Sequence, residues 1–135
     1  MSDDVRLFTA VNPERLHDVW DWVRPRLERV IRKNDERGWL PEDVYHSIKC
    51  GASTLCTIGE DEGIIVFQRQ VRAMGPVLFV WILEGEGIMR YNGRIVDELR
   101  AIARSAQCNE IVMHSGRDYR AFGFKPGYTI YSMEV

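Results

Sequence analysis

A chain of 135 residues, 45% hydrophobic and 28% charged, can bury a full core and reads as one globular domain over residues 1–135. Its formal net charge of −2 lacks the basic excess of a dedicated nucleic-acid binder, and no apolar run has membrane-spanning length. The opening MSDDVRLF has neither the positive start nor the apolar run of a secretion signal, and Cys50, Cys56 and Cys108 are odd in number and widely spaced, so a reducing, cytoplasmic setting is expected.

Residues 5–11 form the first strand candidate. Asn12-Pro13-Glu14 then opens a helix, with Asn as cap, Pro at the first helical position and an acid in the first turn. Leu16, Val19, Trp20, Val23, Leu27, Val30 and Ile31 make a helical stripe, within which Pro25 predicts a kink or two consecutive helices. The outer face, with Arg24, Arg26, Arg29, Arg32, Lys33 and Arg37 partly balanced by Glu28, Asp35 and Glu36, reads as solvated, with an acidic partner as the alternative. Gly38 ends this helix, and Trp39-Leu40-Pro41-Glu42-Asp43 starts another that runs to about Gly51, with Val44, Ile48 and Tyr45 turned inward. Two apolar runs, 54–58 and 64–69, flank an acidic, Gly-containing turn and predict an antiparallel hairpin.

After the turn 73–76, residues 77–83 are rich in β-branched and aromatic side chains, as a buried strand is. A Gly-rich stretch follows, then a helix with Ile95, Val96, Leu99, Ile102, Ala103 and Ala106 on one face and Asn92 as its N-cap. Residues 110–114 form a strand, a short helix comes next, and residues 128–133 form the last strand. The order β-α-α-β-β-β-α-β-α-β predicts an α/β (α+β) fold with a mixed, mostly antiparallel sheet, flanking helices and a parallel pair formed by strands 77–83 and 110–114. The turn holding Gly85, Gly87 and Gly93 meets a helix N-terminus, which can hold an anion, or it merely shapes a tight connection. His46 and Cys50 share a helix face without a second ligand pair, so no metal site is expected. No Ser/His/Asp or Cys/His arrangement is evident either.

This order, together with Tyr119-Arg120-Ala121-Phe122-Gly123-Phe124, resembles the GNAT N-acetyltransferase fold over nearly the whole chain. Many GNAT enzymes carry Tyr, three residues and Gly-Phe just after the strand that follows the main helix. More narrowly, VYHSIKCGASTLCTI and IARSAQCNEIVMHSGRDYRAFGF resemble small GNAT-like proteins of bacteriophages. The resemblance implies acetyl-CoA as cofactor, held by Gly85, Gly87, Arg90, Asn92, Gly93 and Arg94, and an amine as acceptor. It implies Tyr119 as the acid that protonates the departing thiolate and Glu84 as the base, with burial beside Trp81 to raise its pKa. His114, at a strand end, becomes a substrate-binding candidate. Each has a plainer alternative: Tyr119 covering a sheet edge, Glu84 solvated, His114 a hydrogen-bonded structural residue.

The chain departs from the GNAT coenzyme signature Arg/Gln-x-x-Gly-x-Gly/Ala, because Glu84 and Glu86 stand where the leading base is expected; Arg90 and Arg94 can offset them. The short region after Phe124 leaves space for one strand where GNAT enzymes have two, so part of the acceptor wall is expected to be either missing or supplied by the second subunit of a homo-oligomer. The expected activity is acyl-CoA-dependent N-acylation in the cytoplasm. The alternative is a non-catalytic phage virion or assembly protein, with other virion proteins as partners and an exposed apolar patch around Trp22, Trp39 or Phe122.

Overall fold

A computed structural model describes residues 6–34, 38–113, 122–125 and 133. The first strand, β1, is Phe8–Ala10, and a 3-10 turn Pro13–Arg15 leads into helix α1, Leu16–Asn34. Asn12 is the expected cap: its Oδ1 accepts from the Glu14 N–H at 2.9 Å. α1 is one uninterrupted helix through Pro25, not two. Proline removes one helical hydrogen bond, but Val23, Arg26 and Leu27 bury on either side of it, and that packing outweighs the loss.

Helix α2 is Pro41–Lys49, and Asp43 at its third position accepts from the Leu40 N–H at 2.7 Å. Strands β2, Thr54–Ile58, and β3, Gly63–Arg72, form the predicted hairpin, and β4, Gly75–Glu84, returns antiparallel to β3. The Gly-rich stretch is itself helical: α3, Gly87–Arg90, is followed by Tyr91 and then α4, Asn92–Ser105. Asn92 is therefore not the cap that its side chain suggests. It is the first residue of α4, and its Oδ1 accepts from the Gly93 N–H. β5, Glu110–Met113, pairs parallel with β4, giving a five-stranded sheet in the order β1-β2-β3-β4-β5. The predicted short helix after 114 and the strand at 128–133 lie outside the described residues, apart from 122–125 and Met133.

Each face of the sheet carries a core. Ile64, Val66 and Leu55 bury against α1 and α2, while Ile65, Phe67, Leu78 and Val80 bury against Ile95, Leu99 and Ala103 of α4. A strand covered on both faces reads as a continuous apolar run, which is why residues 64–67 show no alternation. In β4 the alternation itself breaks. Leu78 and Val80 face α4, but Ile82 faces α1 and α2. The cause is a bulge: Val66 pairs with Ile82 and Phe67 with Val80, so Trp81 is the extra residue. No described helix is long and apolar enough to cross a membrane.

Candidate functional site

The bulge at Trp81 stands directly beyond the last described β4–β5 pair, Val80 with Met113. Past that point β4 runs on through Glu84 with no described partner on its β5 side. In a parallel sheet the carboxyl ends of strands are where ligands gather, and a bulge re-aims backbone groups there. The strand end also meets Gly85 and α3, so the Gly-rich segment follows directly on the bulged stretch of β4.

Three contacts hold that segment to the β2–β3 turn. The Gly87 N–H donates to Glu62 O at 2.9 Å, the Tyr91 hydroxyl donates to Glu62 Oε1 at 2.9 Å, and Arg90 pairs with Glu62 Oε2 at 2.6 Å. Gly85 has φ +137°, and a Cβ there would lie 2.3 Å from Gly63 Cα and 2.4 Å from Glu62 O. Gly85 is thus required by the fold. Gly87 is closely packed too, since a Cβ would meet Glu62 Cβ at 3.0 Å. Gly93 differs: a Cβ would meet nothing within 4 Å.

Glu84 ends β4 with its side chain 18% exposed, and two arginines from α1 face it: Arg26 Nη1 lies 3.2 Å from Oε2 and Arg29 Nη2 lies 3.5 Å from Oε1. Its neighbours are cations rather than the apolar surround that its position suggests. Arg26 is only 8% exposed; its guanidinium also approaches Glu86 at 3.6 Å, donates to Asp61 O and stacks 4.2 Å from the Trp22 ring centroid. The Glu86 carboxyl is held below its ordinary range, chiefly by a hydrogen bond from its own backbone; desolvation opposes this, and Arg26 and Arg29 add to the lowering.

The expected solvated face of α1 is corrected at Arg26, while Arg29 stays exposed and reaches Glu84 from the surface. Arg26 and Arg29, rather than Arg90 and Arg94, neutralise Glu84 and Glu86. The available signal was Trp22 four residues before Arg26, which places an aromatic ring and a cation one above the other on a helix. Arg90 is committed to Glu62, and the Arg94 guanidinium lies 5.7 Å from the Tyr91 ring centroid. Of the residues expected to form an exposed apolar patch, Trp39 stacks edge-on against Trp81, Trp22 sits under Arg26, and both are half-buried, while Phe122 is buried. Tyr119 and His114 lie outside the described residues.

No family model matches the chain, and no curated protein matches it. Solved structures do. A ribosomal-protein-alanine N-acetyltransferase from Brucella melitensis biovar Abortus 2308 is 13% identical, with 95% of this chain and 98% of that one covered at a TM-score of 0.61. A predicted acetyltransferase from Clostridium acetobutylicum, solved with acetyl-CoA, is 12% identical over 94% of each chain at a TM-score of 0.66. An aminoglycoside acetyltransferase from an uncultured soil metagenomic sample, in complex with trehalose, is 9% identical over 95% of each at 0.66.

The fold is that of the GNAT acetyltransferases. Arg90-Tyr91-Asn92-Gly93 has the Arg-x-x-Gly spacing across the junction of α3 and α4, and Ile95, fully buried, stands where the coenzyme signature has Gly or Ala.

Proposed function

We propose that this protein is an acyl-CoA-dependent N-acyltransferase acting on an amine. The observation that carries the reading is the bulge at Trp81, one residue past the last described parallel pair and in front of the turn that opens α4. Acyl-CoA brings the activated acyl group, and the chain supplies binding and polarisation. Arg94 and the backbone of Asn92 and Gly93 are assigned to the diphosphate, at a helix N-terminus where partial positive charge collects. The open space at Gly93 supports this, because the fold itself makes no demand for glycine there. Arg90 joins them by giving up Glu62. A backbone N–H of β4 near the bulge is assigned to the thioester carbonyl, as a donor already fixed before charge develops.

The amine nitrogen attacks the carbonyl carbon, the carbon–sulfur bond breaks, and the amine proton must leave. Glu84 is the assigned acceptor of that proton. It takes the role by exchanging Arg29, the more exposed of its two partners, for the amine while Arg26 holds the other oxygen. Tyr119 is the assigned acid for the thiolate. Calorimetric titration with acetyl-CoA tests the reading. Micromolar binding that Arg94→Glu weakens about tenfold or more supports it. No binding at millimolar coenzyme overturns it. In an active protein, unchanged acyl transfer by Tyr119→Phe removes Tyr119 from the mechanism.

A further inference from the structure

A second concavity lies outside this site, in the groove between α1 and α2. It measures about 370 Å³ and is lined by His17, Trp20, Asp21, Glu42 and Tyr45. Asp21 and Arg26 are five residues apart on α1, about 140° around the helix axis, so the groove opens away from the Arg26–Glu84 pair. Trp20 and Tyr45 meet edge to face with ring centroids 4.8 Å apart, which leaves two aromatic surfaces in one wall.

The charges beside those rings are unequal. Glu42 is shared with Arg24, whose Nε and Nη2 each lie 3.2 Å from its oxygens, and Arg24 also pairs with Glu28. His17 Nε2 lies 3.0 Å from Asp18. Asp21 has no ion-pair partner among the described residues. An unpaired, exposed carboxylate beside two aromatic faces, in an open groove, matches a cation with an apolar body. An anion would meet two carboxylates, and a neutral ligand would gain nothing from Asp21, whose carboxylate is exposed.

We propose that the α1–α2 groove binds a small organic cation, an alkylammonium with its charge toward Asp21 and its carbon atoms on Trp20 and Tyr45. This stands independently of acyl transfer and needs no coenzyme. Choline is the probe, with 3,3-dimethylbutan-1-ol as its neutral isostere, and the readout is the indole N–H resonances of the four tryptophans in the intact protein. The Trp20 signal, assigned by its loss in Trp20→Phe, should move saturably with choline and stay still with the alcohol. Asp21→Asn, a surface change that leaves the core untouched, should weaken choline binding about three- to tenfold. The proposal is overturned if Trp20 shows no saturable shift, if the alcohol shifts it as choline does, or if Asp21→Asn binds choline unchanged.

Discussion

Gly85 and Gly93 look alike in sequence and do different work. A methyl group at Gly85 would drive into the backbone of Gly63 and Glu62, neither of which can move without unlocking the β2–β3 turn, and its φ of +137° is unfavourable for any side chain. Gly85→Ala should therefore cost about 3 kcal/mol or more. Gly93→Ala, in open space in the first turn of α4, should be neutral or gain about 0.5 to 1 kcal/mol. Urea unfolding of the two variants checks the pair, and a cost at Gly93 as large as at Gly85 would contradict the assignment. The same comparison separates fold from function, because coenzyme binding lost in a fully stable Gly93→Ala protein would point to close backbone approach by the ligand. Spacing alone could not sort these glycines, since what a Cβ would strike belongs to residues some twenty positions away.

Among the elements, the edge strand β1 is short and owes its place to a helix that follows it far along the chain. Glu98 of α4 accepts from the Leu7 N–H at 3.1 Å and the Phe8 N–H at 3.2 Å, so one carboxylate satisfies two backbone donors. Glu98→Ala leaves both without that partner and should cost about 1 to 3 kcal/mol, with β1 amides losing hydrogen-exchange protection before those of β3. Equal loss across the sheet would show that Glu98 acts on global stability instead. The helices themselves were legible from their apolar stripes, and the hairpin from its turn. The tie between α4 and β1 was not, because Glu98 occupies an ordinary polar position in a helical pattern. Arg26 was misplaced for a related reason: helical periodicity assigns faces but does not say which charged residue meets a strand end.

For the molecule as a whole, the two buried faces of the sheet make stability fall in alkali. Burial, and secondarily the nearby Glu98 carboxylate, pushes the Cys56 thiol from its ordinary 9.0 up to about 11. Between those values the unfolded chain releases a proton that the folded chain keeps. The folded state binds more protons there, so stability falls as pH rises through this window, by about 2 to 3 kcal/mol in total. Unfolding measured at pH 8 and pH 10.5 should give a smaller drop for Cys56→Ala than for the parent protein. Equal drops would remove Cys56 as the cause. Glu86 acts at the other end of the scale: its depressed carboxyl contributes above the ordinary 4.5, and the contribution is lost as pH falls below that value through the folded one.

By itself the sequence determined the mixed, mostly antiparallel sheet with its parallel pair and the flanking helices α1, α2 and α4, because apolar periodicity and turn chemistry are local and recur along the chain. It also pointed to the segment on which the proposed coenzyme site rests. Only the tertiary structure decided where β4 bulges, which arginines meet Glu84, and which glycine the fold can spare. Each of those depends on what a distant strand or helix brings alongside: a bulge is a mismatch between two strands, and an ion pair needs two elements to meet. Neither leaves a mark on the periodicity of a single segment.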